Sequence, residues 1–206
     1  MVRSGSRSTR GSIVVRPTPS SLRSTHRASL ARHSPLGAEA IRDRIWGGEL
    51  ERDAETGRID SRELFRRVRQ RIEAEETWSY EEFREEFGEG FTPNPEGFEA
   101  LRLAVDRGKR TFILSNTSFL HARRLFMTEE LATLPEGYVL SFKVGAMKPD
   151  PAIWRHLLAT TGLAARDCLF IDDVPEYCRA AEALGFTAIN YRKGGTDLLQ
   201  RLQDLL

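Results

Sequence analysis

From residue 111 onward, short and wholly apolar runs alternate with amphipathic stretches, and this alternation constrains the fold more than any other feature. Thr111-Phe112-Ile113-Leu114, Tyr138-Val139-Leu140, Cys168-Leu169-Phe170-Ile171 and Thr187-Ala188-Ile189 are too short for buried helices and suit strands covered on both faces. Helix candidates at 119–127, 151–160, 175–184 and 197–205 separate them. Strands interleaved with helices predict an α/β fold built on a Rossmann-like parallel sheet.

Upstream the pattern is helical only. Residues 38–46 make a short helix candidate before the loop Gly47-Gly48. Asp60-Ser61-Arg62-Glu63 has capping-box spacing and opens a helix through about residue 75, with Leu64, Phe65, Val68 and Ile72 on one face. Ser79-Tyr80-Glu81-Glu82 is a second box, followed by Phe83 and Phe87 on one face. Residues 95–107 form a further amphipathic helix, closed by Gly108. The organisation predicted is a basic leader over 1–36, a helical cap lobe over 37–92 and an α/β core over 93–206. Trp46, Trp78, Phe83, Phe87 and Phe91 read as lobe core, and Trp154 as the buried face of its own helix. Glu81, Glu82, Glu85 and Glu86 read as a solvated face.

Length and composition narrow the class. A chain of 206 residues suits one domain carrying an inserted lobe. No stretch approaches the roughly 18 apolar residues of a membrane span. Two cysteines make neither a disulfide framework nor a zinc site; Cys168 and Cys178 read as small buried thiols of a reducing, cytoplasmic compartment. Lysines 109, 143, 148 and 193 are outnumbered by 27 Arg, a skew that GC-rich coding explains better than a functional arginine surface.

The net charge of +1 hides an asymmetry: residues 1–36 hold seven Arg, nine Ser and no acid. Three readings of this leader compete: a disordered basic tail, an organellar transit peptide, or translation from a wrong frame or start, which ranks first. Without interleaved aromatic residues it makes a poor nucleic-acid arm, so no nucleic-acid partner is expected.

Polar residues collect where the predicted strands end, the edge at which parallel α/β sheets bind ligands. Ser115-Asn116-Thr117 closes one apolar run and precedes a helix, which suits a phosphate cradle or, more simply, a helix N-cap. Asp172-Asp173 closes another; adjacent carboxylates repel, and a hard cation such as Mg2+ relieves them. The plainer reading of that pair is a cap for the helix opening at Pro175. Glu176 lies three residues beyond. Between them, Asp150-Pro151 is a strong helix start, which leaves Lys148 in a loop, where an ammonium neutralises phosphate oxygens or is simply solvated.

Together, in this order, "FILSNTS", "GAMKPDPAIW" and "LFIDDVPEYCRAAEALGFTAI" resemble the second, third and fourth motifs of the haloacid dehalogenase superfamily, and "GGELERDAETGRIDSRELF" is similar to the cap of its sugar-phosphate phosphatase branch. The resemblance covers about residues 37–206. Receiver domains combine similar groups, but there the acidic pair comes first. The resemblance implies a Mg2+-dependent phosphatase acting on a small phosphorylated metabolite such as a sugar phosphate. Ser115 and Asn116 would hold phosphate, Lys148 would stabilise charge, and Asp173 would ligate the metal with Asp172 beside it. His121 matches a histidine common in related phosphatases. A carbon–halogen hydrolase fits less well, because that branch does not need the metal pair.

One motif is absent. The family's mechanism begins with an Asp-x-Asp at the end of the first strand, which attacks phosphorus and handles the leaving-group proton. The strand candidate ahead of the lobe, Ser12-Ile13-Val14-Val15, is followed by Arg16-Pro17-Thr18. A guanidinium stays protonated and cannot attack phosphorus. The first aspartate in the chain is Asp43, within a lobe helix. The expectation is therefore an inactive chain, arising from a misread leader; the alternative is a homologue that binds a phosphorylated ligand or a protein without catalysis.

Overall fold

The computed structural model describes residues 12–15, 29–88, 95–125, 129–192, 195 and 197–206. One parallel sheet contains β1 (Ser12–Val15), β2 (Arg110–Ser115), β3 (Gly137–Leu140), β4 (Cys168–Asp172) and β5 (Thr187–Asn190), in the order β3-β2-β1-β4-β5. The four apolar runs are thus strands, each one residue longer at one or both ends than the sequence suggests. Their side chains alternate between two cores, as the pleat requires. Phe112, Leu114, Val139 and Phe170 pack with Trp154 on one face. Ile113, Leu140, Ile171 and Ile189 pack with Leu101 and Leu198 on the other.

β1 occupies the middle of the sheet. Ser12 is level with Arg110 and Cys168, and Val15 with Ile113 and Ile171. The strand candidate Ser12-Ile13-Val14-Val15 of the leader is thus a strand, in a slot where its backbone groups pair with both neighbours. Residues 29–36 bear on the predicted boundary at residue 37. Leu30 is fully buried in the lobe core, and the His33 carbonyl accepts from the Glu75 amide at 3.1 Å. The packed lobe therefore begins before residue 37.

The lobe comprises α1 (Ala38–Ile45), α2 (Glu49–Glu55), α3 (Ser61–Arg71) and α4 (Tyr80–Gly88). α2 is not anticipated by hydrophobic spacing, and α3 ends four residues early, with Glu73 at φ 56°. The second capping box forms in full: Glu82 N–H donates to Ser79 Oγ at 3.2 Å, and Ser79 N–H to Glu82 Oε2 at 2.9 Å. The first is one-sided, since the Glu63 carboxylate turns to Arg66 and Arg67 instead of back to the cap. Trp78, Phe83 and Phe87 are buried as expected, and Trp46 is half-buried; Phe91 lies outside the described residues. Glu86 leaves the solvated face to meet Arg32 and His33.

The core helices are α5 (Pro95–Asp106), α6 (Phe119–Leu125), α7 (Glu129–Thr133), α8 (Ser141–Val144), α9 (Pro151–Thr161), α10 (Pro175–Glu182) and α11 (Leu198–Leu205). The short α7 and α8 break what reads as loop. Leu120 of α6 enters the lobe core, which seats the lobe beside the carboxyl end of β2. At Gly57 (φ +69°) an added Cβ would run into the carbonyl oxygen of Phe142, so lobe and core touch there backbone to backbone. Among the described residues no helix is long and apolar enough to cross a membrane.

Candidate active site

The loops that follow β2 and precede α9 meet the end of β4, at the carboxyl edge of the sheet. Asn116 joins the first two. Its Nδ2 donates to the Lys148 carbonyl at 2.8 Å, and its Oδ1 accepts from the Lys148 amide at 2.8 Å. The amide thus clasps the neighbouring loop's backbone, which fixes Lys148 in place. Ser115 is buried, and its Oγ has a long contact of 3.3 Å with the Asn116 carbonyl. The loop is braced from the end of β3 as well. Ser141 Oγ accepts from the Thr117 amide at 2.9 Å and donates to the Thr117 carbonyl at 3.1 Å.

Lys148 is not solvated. Its side chain is 0% exposed, and Nζ donates to Asp172 Oδ2 at 2.6 Å and to the Leu114 carbonyl at 3.1 Å. The rings of Phe170 and Tyr177 lie 5.3 and 5.0 Å from Nζ. A buried ammonium is tolerated only with a close counter-charge and further acceptors, and this one has both. Asp172 is equally buried, and its Oδ1 accepts from the Val174 amide at 2.9 Å. Both oxygens of Asp172 therefore accept protein hydrogens, from Lys148 and from Val174, beside Asp173 at the strand end. Cys178 lies behind the pair, its Sγ 3.6 Å from the Asp172 carbonyl. Burial, and then the Asp172 charge, push that thiol up to about 11.

Asp173 is half-buried just beyond the end of β4. Among the described residues no group of three or more His, Cys, Asp or Glu side chains is placed to hold a metal ion. Mg2+ commonly takes one or two protein carboxylates and fills its octahedron with water and phosphate oxygens. The donor chemistry fits that mode, with Asp173 as the carboxylate that would hold the ion.

His121 lies on α6 at the seam of lobe and core. Its Nδ1 is 3.3 Å from Ser118 Oγ, and its ring stacks on Phe87 at 5.0 Å. Together with Trp46, Leu50 and Leu64 these rings line a small cavity between lobe and core. Asp43 lies on the surface of α1 with its carboxylate held by Arg42 at 2.6 Å, and so is no nucleophile. The ladder of β1 stops at Val15, one residue short of Asp172 and two short of Ser115. Arg16 and Thr18 lie outside the described residues.

Two contributors escape a reading of the sequence. Ser141 follows the apolar run 138–140 directly, and a polar residue at a strand end is the signal that marks it. Tyr177 gives no such signal.

Fold and site define an α/β protein of the haloacid dehalogenase-like class. The family model described as haloacid dehalogenase-like hydrolase matches residues 20–185, and the chain belongs to that family. A curated relative, the phosphatase MT3486 of Mycobacterium tuberculosis (strain CDC 1551 / Oshkosh), is 31% identical over 110 residues, covering 53% of this chain. The match spans about half (49%) of that relative's length. The structure of a predicted HAD-like family hydrolase from Porphyromonas gingivalis superposes with TM-score 0.75 at 22% identity, over 94% of this chain and 97% of that one. A magnesium complex of a HAD family enzyme from Bacteroides thetaiotaomicron gives 0.73 at 17% identity, over 90% and 94%.

Proposed function

We propose that the chain carries the framework of a Mg2+-assisted phosphomonoesterase and takes a small phosphorylated metabolite, such as a sugar phosphate, at the carboxyl ends of β2, β3 and β4. The observation that carries this reading is the convergence of Asn116, Lys148 and Asp172 into one hydrogen-bonded cluster beside Ser115 and Asp173. The name of the mycobacterial relative supports phosphate as the group recognised. In this reading Ser115 and the main chain of the loop after it hold the phosphate. The Lys148 charge, fixed by Asp172, offsets phosphate charge in a low-dielectric setting. Asp173 holds Mg2+, which supplies charge neutralisation at the phosphate oxygens when bound. The helical lobe acts as a cap that shields the ligand. The setting is a reducing, cytoplasmic one, in which Cys168 and Cys178 stay thiols, without nucleic-acid or membrane partners.

The sequence as it stands binds without hydrolysing. Retention of an apolar β1 in the central slot favours a catalytically silent homologue, in whose sequence Arg16-Pro17-Thr18 follows the strand in place of Asp-x-Asp, over wholesale replacement of the strand.

The test is turnover of p-nitrophenyl phosphate with Mg2+. The unaltered chain should give essentially none, and Arg16→Asp with Thr18→Asp should gain metal-dependent activity. Robust turnover by the unaltered chain, abolished by Asp43→Asn, would overturn the assignment.

A further inference from the structure

We infer that Tyr177 is a positioning residue of the phosphate site: through Asn116 and Lys148 it holds the loop after β2 and the loop before α9 in one fixed register. The inference rests on the phosphate-site reading above.

Tyr177 reaches the site from the first turns of α10, on the β4 side. Its hydroxyl accepts from Asn116 Nδ2 at 3.3 Å, while the same amide nitrogen donates to the Lys148 carbonyl at 2.8 Å. A primary amide has two N–H donors, and here they point to different elements. With Oδ1 on the Lys148 amide, this fixes the side chain in one of its two flip states. The phenol ring also lies 5.0 Å from Lys148 Nζ, a favourable place for an aromatic face beside a desolvated ammonium. A single side chain therefore touches the amide that clasps the Lys148 backbone and the ammonium at the end of the same lysine. Losing the hydroxyl frees one amide hydrogen and lets Asn116 loosen. Losing the ring unsettles the ammonium as well.

The measurement is calorimetric binding of inorganic phosphate to the full chain in the presence of Mg2+, alongside thermal unfolding. Tyr177→Phe keeps the ring, and should weaken phosphate binding by about 2- to 10-fold, the range of one neutral hydrogen bond, with the melting temperature lowered by no more than about 4 °C. A packing role alone would move the melting temperature and leave affinity alone. In an Asn116→Ala background, Tyr177→Phe should cause no further loss, because its effect passes through that amide. Tyr177→Leu should bind more weakly than Tyr177→Phe. Equal affinity in the unaltered chain and Tyr177→Phe overturns the inference but spares the phosphate site; so does an additive effect in the double variant. If the unaltered chain does not bind phosphate, the site reading fails and this inference with it.

Discussion

Lys148 Nζ and Asp172 Oδ2 are 2.6 Å apart, with neither side chain exposed to water. Each charge is tolerable in the interior only because of the other, which makes the pair a clamp between the loop before α9 and the end of β4. Removing one partner strands a buried charge and commonly costs about 3–5 kcal/mol. Lys148→Met should therefore lower stability by about that much in urea unfolding. Adding Asp172→Asn should recover part of the loss. A single-variant loss under about 1 kcal/mol would show that water reaches the pair.

Ser115 and Asn116 are neighbours with opposite expected behaviour. Asn116→Ala leaves the Lys148 amide and carbonyl without their partners, a loss of about 1–3 kcal/mol. Among the described residues the Ser115 hydroxyl makes a long contact to the adjacent carbonyl. Ser115→Ala should change stability by no more than about 0.5 kcal/mol while abolishing phosphate binding. Equal destabilisation by both substitutions would count against a ligand-facing serine.

Gly57 reports on the seam between lobe and core. Its left-handed backbone costs a residue with a Cβ about 1–2 kcal/mol, and the Phe142 carbonyl blocks the added atom. Gly57→Ala should lower the melting temperature by several degrees and speed proteolysis within the lobe. An unchanged melting temperature would mean that lobe and core part easily there.

The buried thiols set a pH dependence. Cys168 and Cys178 are both pushed up to about 11, by burial first and then by Asp167 and Asp172 respectively. An unfolded thiol ionises near about 8.5. A raised value in the fold means that the thiols' contribution is complete below that pH and is lost as pH rises through about 11. Burial raises the Tyr138 hydroxyl as well, in the same direction. Denaturation midpoints measured from pH 8 to 11 should fall, and the fall should be shallower in a Cys168→Ala, Cys178→Ala double variant. Identical slopes would remove the thiols from the account.

Much of this architecture is legible before any coordinates, for a definite reason. Strands buried on both faces must be apolar throughout, so β2 to β5 announce themselves, and the polar residues that end them mark the site's edge. What stays hidden depends on pairing across the chain. Lys148 looks like any loop lysine until Asp172, 24 positions on, is seen against it. Asn116 reads as a phosphate ligand, and nothing local shows that both ends of its amide hold the Lys148 backbone. The Tyr177 hydroxyl meets Asn116 from 61 residues away, and no local pattern encodes that meeting. The four-residue helix α8 lacks a full period of hydrophobic spacing, so Ser141 passes for loop.

The central place of β1 has a consequence for how the molecule is made. Its two neighbours begin at residues 110 and 168, so pairing with β2 leaves the other edge of β1 open until β4 has been made. Until then the β3-β2-β1 part of the sheet presents an open edge that favours clumping. Closure of the sheet thus rests on a pairing between segments far apart in the chain, which is intrinsically slow to form.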